Sequence, residues 1–195
     1  PIASIDLMER ASIAIADWIT VNIDKRHSLL FLVGKGNNGG DGLAVSRILS
    51  QKGYMAYDFF LPGLIIDAFE EQSGEMLEKW AQEILDKQIN VVNMLGCHDG
   101  IPLLDLKGLI KDEQIQRLID TVVGRGGFVK NLHGQKNVYY QVNATYYSAL
   151  GEDDRKMLIA RAVQLFMPGK PQVWYLDLFA RKNDYEAVRR AGAGG

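Results

Sequence analysis

Two short stretches of this 195-residue chain hold residues whose types and spacing could do chemistry. The first is Gly34-Lys35-Gly36-Asn37-Asn38-Gly39-Gly40-Asp41-Gly42, which satisfies G-x-G-x-x-G and stands between an apolar run, Leu29 to Val33, and a helical pattern, Leu43 to Lys52. Glycine lets a backbone approach a phosphate closely, and free N–H groups at a helix start carry partial positive charge. A strand, this turn and a helix therefore make an anion cradle. A dinucleotide site would also ask for an acid about twenty residues on. Asp58 stands near that distance but falls mid-strand rather than at a strand end, which counts against it. A bare glycine hexapeptide would be a tight turn and nothing more. The Asn pair and Asp41 make this one a candidate phosphate loop, with Gly36, Asn37, Asn38, Gly39, Gly40 and Asp41 as its binding residues. The second stretch is His98-Asp99, directly after the apolar run Val91 to Leu95. The carboxyl end of a strand is where parallel α/β proteins place their chemistry. A carboxylate there can bind sugar hydroxyls or stabilise an oxocarbenium-like transition state, while the adjacent imidazole donates to another hydroxyl. Taken alone, His98-Asp99-Gly100 is more simply a turn.

The elements that must position these residues follow from periodicity and breakers. Asp6 and Glu9 have capping-box spacing, and Leu7, Met8, Ala11, Ile15, Trp18 and Ile19 form one apolar helical face. Gly53 stops the helix that follows the glycine loop. Met55 to Leu61 reads as a strand closed by Pro62-Gly63, Asp67 to Lys87 as one helix with Phe69, Leu77, Trp80, Ala81 and Ile84 inward, and Val91 to Leu95 as a strand. Asp112 caps a helix with the stripe Ile115, Leu118, Ile119 and Val122. Gly124 to Gly134 reads as a glycine-rich loop, Val138 to Val142 as a short strand or part of that loop, Arg155 to Phe166 as a helix, and Gln172 to Asp177 as the last strand. Strands alternating with helices predict an α/β fold with a parallel sheet and flanking helices.

Composition narrows the function classes. A net charge of −2 gives no global attraction to nucleic acid or anionic membrane. No apolar run is long enough to span a bilayer, and no signal peptide is visible, so a cytoplasmic protein is expected. Cys97 is the single cysteine, which excludes a disulfide framework. Trp18, Trp80 and Trp174 are expected in the core, and His27 and His133 have no metal-ligand spacing. Both ends, Pro1 and the Ala191-Gly192-Ala193-Gly194-Gly195 tail, read as cut.

Two resemblances overlay this reading. Leu7-Met8-Glu9-Arg10-Ala11 followed by Gly36-Asn37-Asn38-Gly39-Gly40-Asp41-Gly42-Leu43-Ala44-Val45-Ser46-Arg47 resembles the YjeF N-terminal domain, the NAD(P)HX epimerase family, over about residues 1–54. The resemblance implies a Rossmann-like fold, nucleotide phosphate on the glycine loop, and a potassium ion near Asn38. The family's Asp-x-Pro-Ser-Gly stretch, which carries its catalytic acid, has no counterpart in this sequence.

The second resemblance runs from about 57 to 193. Its carriers are Tyr57-Asp58-Phe59-Phe60-Leu61-Pro62, Met94-Leu95-Gly96-Cys97-His98-Asp99-Gly100-Ile101-Pro102, Leu106-Lys107-Gly108-Leu109, and Tyr140-Gln141-Val142-Asn143-Ala144-Thr145-Tyr146-Tyr147-Ser148-Ala149-Leu150. Ala160-Arg161-Ala162-Val163-Gln164 and Pro168-Gly169-Lys170-Pro171-Gln172-Val173-Trp174-Tyr175 complete it. In this order they are similar to sucrose phosphorylase and its relatives in the α-amylase superfamily, which are (βα)8 barrels. The resemblance implies Asp99 as a transition-state-stabilising carboxylate, His98 as its sugar-binding neighbour, and Tyr140 and Gln141 on an acceptor-site loop. The family's nucleophilic Asp and acid/base Glu lie on earlier strands without counterpart here.

Together the resemblances imply a recombined or engineered chimera: one Rossmann-like βα unit joined near Tyr54 to Tyr57 to the last βα units of a TIM barrel. It would form a single α/β domain over 1–195, as an open sheet or a partial barrel that covers its edges as a homodimer. The expected activity is no intact turnover, with phosphate or nucleotide binding at the glycine loop. Two alternatives stand beside it. One is a glycosyl-transferring protein using Asp99 and His98, with Asp58 or Asp177 supplying a further carboxylate. The other is an epimerase-like isomerase. Expected partners are a small-molecule phosphate or sugar, with no nucleic acid and no membrane.

Overall fold

The computed structural model describes residues 4–24, 29, 37–131 and 139–191. The chain divides into two compact units: 1–56 with 84–90, and 57–83 with 91–195.

In the first unit, α1 (Ser4–Asn22) packs on α2 (Asn37–Gln51). Their shared core is Ala16, Ile19, Val45, Ile48 and Leu49, with Ile23, Leu29 and Tyr54 against it. The buried face of α1 is not the one its largest apolar residues suggest. Ser12 and Ala16 are fully buried, whereas Leu7 and Trp18 are 52% and 61% exposed. Small side chains let the second helix come close, and the Ser12 hydroxyl donates to the Asp41 carbonyl at 3.3 Å, so the helix turns its small face inward. Trp18 is therefore a surface residue, against expectation. Ion pairs Arg47–Glu9 and Lys52–Asp17, both at 2.6 Å, line the outside of the helix pair. Gly53, at φ +91°, follows α2 as expected. The predicted strand Leu29 to Val33 and the segment Gly34 to Gly36 lie outside the described residues, Leu29 apart.

The second unit is built on a parallel three-stranded sheet in the order β1-β2-β5, with β1 (Ala56–Asp58), β2 (Val91–Asn93) and β5 (Lys170–Pro171). Val92 pairs with Lys170 and Asn93 with Pro171. The α/β class with flanking helices is as expected; several boundaries are not. The strand around Tyr57 ends at Asp58, because Leu61-Pro62-Gly63 opens α3 (Leu61–Glu71) rather than closing a strand. Proline suits the first helical turn, where its missing N–H is no loss. Asp58 Oδ1 accepts the N–H groups of Phe60 and Leu61 at 3.1 and 3.0 Å. The long helix predicted from Asp67 to Lys87 is two: Gln72 ends α3 with a left-handed φ of 52°, and α4 runs Glu75–Asp86.

Downstream, a 3-10 turn (Leu104–Leu106) precedes α5 (Asp112–Gly124), which buries Ile115, Leu118, Ile119 and Val122 as its periodicity predicts. Its N-cap is Lys111, one residue before the expected Asp112, with the Lys111 N–H donating to the Gln114 side chain at 3.3 Å. The segment read as a glycine-rich loop contains β3 (Phe128–Asn131), antiparallel to β4 (Tyr139–Asn143). Gly127 permits that strand to close in, since a Cβ there would stand 2.8 Å from the Val142 side chain. Then come α6 (Tyr146–Ala149), capped by Thr145, and α7 (Asp154–Phe166), capped by Asp153. Gln164 on α7 donates to the carbonyls of Asn93 and Gln172, both at 2.8 Å, tying α7 to the sheet. The strand predicted over Gln172 to Asp177 is instead the short β5 followed by a helical turn, α8 (Tyr175–Leu178), and then α9 (Tyr185–Ala191).

Candidate functional site

The chain leaves β2 into the loop 96–100, and two features fix how that loop turns. Gly100 has φ +92°, and a Cβ there would stand 2.9 Å from the Val142 carbonyl, so only glycine fits. The half-buried Cys97 sulfur accepts the Asp99 N–H at 3.4 Å. This turn puts His98 and Asp99 outward, with side chains 75% and 62% exposed and His98 Nε2 3.3 Å from Asp99 Oδ2. They stand over a cleft of about 510 Å³ within the second unit, whose wall includes Gln141, Trp174 and Asp177. The Trp174 ring lies 6.3 Å from the His98 ring, centroid to centroid.

Gln141, from β4, is buried and its amide is already used. Nε2 donates to the Asp99 carbonyl and, at 2.8 Å, to Asn143 Oδ1. It holds the loop backbone in place while still lining the cleft. Tyr140 belongs to β4, and its side chain lies outside the described residues.

Asp177 is the cleft residue whose weight periodicity could not show. It is 4% exposed, on α8, and its Oδ2 has no hydrogen-bond partner among the described residues. Burial pushes its carboxyl from 3.8 up to about 6; the Arg161 guanidinium and the N–H groups of Tyr146 and Gly96 pull the other way and do not prevail. Arg161 shows the mirror image, its value lowered by burial and supported by Asp177, with Nη2 also unpartnered. Tyr146 is buried, donates to the Pro62 carbonyl at 2.8 Å, and has its phenol pushed up by burial and then by Asp177.

Asp58, the other carboxylate weighed as a partner for Asp99, is absent from the cleft wall. Besides capping α3 it accepts the Trp80 indole N–H at 2.9 Å. Its carboxyl is raised by burial and partly offset by those three donors.

Cys97, His98 and Asp99 place a sulfur, a nitrogen and an oxygen within 4.8 Å of one another. Burial raises the Cys97 thiol above its ordinary value, which keeps it protonated. At the glycine-rich stretch, α2 begins at Asn37, six residues before the predicted Leu43, so the backbone of Asn37, Asn38, Gly39 and Gly40 forms its first turn. Their side chains, and Gly36, lie outside the described residues, while Asp41 is half-buried.

The family described as YjeF-related protein N-terminus matches residues 4–126. The chain belongs to that family. Over most of its length it is also similar to glucosyl phosphorylases. Sucrose 6(F)-phosphate phosphorylase of Ilumatobacter coccineus is 53% identical over 167 residues, covering 81% of this chain and 32% of that protein. Sucrose phosphorylase of Bifidobacterium adolescentis is 38% identical over 157 residues, covering 71% and 29%. The crystal structure of sucrose 6F-phosphate phosphorylase from Thermoanaerobacter thermosaccharolyticum superimposes with a TM-score of 0.69 at 38% identity, covering 80% of this chain and 34% of that one. The chain thus spans about a third of the length of the curated relatives it matches. No helix among the described residues is long and apolar enough to cross a membrane.

Proposed function

We propose that this chain is a recombined α/β protein whose working site is the His98–Asp99 cleft, which recognises a glucosyl group and does not by itself transfer it. One observation carries this reading: an exposed imidazole–carboxylate pair at the end of β2, standing over a cleft with an indole ring in its wall. Asp99 accepts from sugar hydroxyls, His98 donates to one, and the aromatic wall offers an apolar surface to a pyranose ring. Similarity to glucosylglycerol and glucosylglycerate phosphorylases supports this assignment.

Glycosyl transfer needs two carboxyl groups flanking the bond, about 5 to 9.5 Å apart. Among the described residues the cleft's second carboxyl is Asp177, which is buried with its Oδ2 against Gly96. A carboxyl enclosed in this way supports the reading that the cleft binds without transferring. Calorimetric titration with glucose and glucose 1-phosphate tests the reading, with sucrose cleavage assayed in phosphate buffer. Binding that is lost in Asp99→Asn, without cleavage, is the expected result. Equal binding by Asp99→Asn would remove the site, and measurable cleavage would remove the claim of no turnover.

A second, independent capacity is weak phosphate or nucleotide binding at the start of α2. The observation favouring it is that the 15-residue α2 begins inside the glycine-rich stretch, at Asn37, so the N–H groups of its first turn are the free donors of a helix start. Asn38 is the residue that would hold a potassium ion beside that phosphate. The recombined origin is supported by the two likenesses and by a first compact unit made of 1–56 with only the short stretch 84–90 added. Pairing of a second copy at the open edges of the three-stranded sheet would give a homodimer, and the single cysteine fits a reducing cytoplasm.

A further inference from the structure

Three chain segments that are far apart in sequence converge on one carboxylate. Asp177 comes from α8, Gly96 opens the loop that carries His98 and Asp99, and Tyr146 begins α6, three residues past β4. The N–H groups of Tyr146 and Gly96 both stabilise the Asp177 charge. The approach at Gly96 is close: a Cβ there would stand 2.7 Å from Oδ2 and 3.1 Å from Oδ1, so a side chain at 96 and a carboxylate at 177 cannot coexist without movement. Oδ2 is buried and lacks a full hydrogen bond, which leaves the carboxylate dependent on the Arg161 charge and on those backbone dipoles.

We propose that Asp177 is the positioning residue of this cleft: its carboxylate draws Gly96 and Tyr146 together, and so sets where the loop presents His98 and Asp99. The inference deepens the reading of the cleft as a glucosyl site and rests on it for its functional consequence. A charged acceptor binds N–H groups about twice as strongly as a neutral one, so the ionised form is the one that holds the loop. The groups facing Asp177 are Tyr146 on α6, Arg161 on α7 and Cys97 on the loop. Tyr146 and Cys97 are both raised above already high values, and the Arg161 guanidinium is lowered from a very high one, so none of the three loses or gains its charge near the carboxyl's value of about 6.

The experiment is a pH titration of backbone amide shifts and exchange protection in the full chain, read at Gly96 and Tyr146. The wild type is expected to show a shared step near pH 6; protection of both amides against a local opening of the loop, in which Asp177 stays buried and only its N–H contacts break, should fall about tenfold below it. The step should vanish in Asp177→Asn and persist in His98→Gln, which removes the neighbouring imidazole. No step in the wild type, or a step lost in His98→Gln and kept in Asp177→Asn, would overturn the proposal; the wild-type arm decides even if a variant does not fold. Glucose affinity measured across the same range separates the two ideas. A shared amide step without glucose binding at any pH would sustain the positioning role and sink the glucosyl reading. Binding that weakens with the step would support both.

Discussion

Asp58 and Asp177 are both buried carboxylates of the same unit, yet their surroundings make them opposites. Asp58 sits between β1 and α3 with three donors on it: the N–H groups of Phe60 and Leu61, and the Trp80 indole. Every contact is local architecture, and the Phe60 and Trp80 rings meet edge to face at 4.7 Å beside it. Burial raises both carboxyls, but Asp177 has an oxygen without a partner among the described residues and a place in the cleft wall. Burial alone therefore does not mark a functional acid. What separates the two is whether the polar groups around the carboxylate fully satisfy it.

The comparison can be broken by substitution. Asp58→Ala should have the largest effect, about 3–4 kcal/mol of lost stability in urea unfolding, because it removes a helix cap and orphans a buried indole N–H. A loss below about 1 kcal/mol would mean that Asp58 is not the structural member of the pair. Asp177→Asn should act in the opposite sense and depend on pH. The folded carboxyl sits at about 6 against 3.8 unfolded, so its contribution is fully present below pH 3.8 and is lost as pH rises through 6. The variant should thus match wild type near pH 3.5 and be more stable by about 2–3 kcal/mol at pH 8. A pH-independent difference would contradict the assigned ionisation.

Gly96→Ala follows, with about 1–2 kcal/mol of destabilisation from the Cβ meeting Asp177. In the Asp177→Ala background that cost should fall by about 1 kcal/mol in a double-mutant cycle; strict additivity would separate the two residues. Smallest is Trp18→Ser, which touches neither carboxylate and should stay within about 0.5 kcal/mol of wild type because the ring lies on the surface. A core-sized loss there would restore Trp18 to the core; Trp174, half-buried in the cleft wall, leaves Trp80 as the buried tryptophan of the three.

Much of the second unit was legible in the sequence. The stripe on α5 and the limits of α7 follow from regular apolar spacing and from polar caps, and the His98–Asp99 pair was placed by the apolar strand before it. Where one whole turn is buried, spacing carries no phase. Leu61 to Asp67 is buried on all sides of α3, so Met55 to Leu61 reads as one continuous strand. The aromatic stretch Val173-Trp174-Tyr175 favours a strand by composition, yet Asp177 lies in a helical turn. Gly126 and Gly127 concealed β3, since glycine-rich sequence signals a loop although here it admits a close strand. On α1, the small residues Ser12 and Ala16 outweighed the larger apolar ones because close approach of α2 rewards size as much as hydrophobicity. Of the cleft, Asp177 was visible only as a residue at an element's end; its role depends on Gly96 and Tyr146, far from it in sequence, meeting at its carboxylate.

Recognition of a glucosyl group at His98 and Asp99 has a direct readout. Backbone amide spectra of the full chain, recorded as glucose is added at pH 7.5, test it most directly. Saturable shifts at His98, Asp99, Gly100 and Gln141, with Asn37 to Gly40 unmoved, are the predicted result; no saturable shift in the cleft would contradict it.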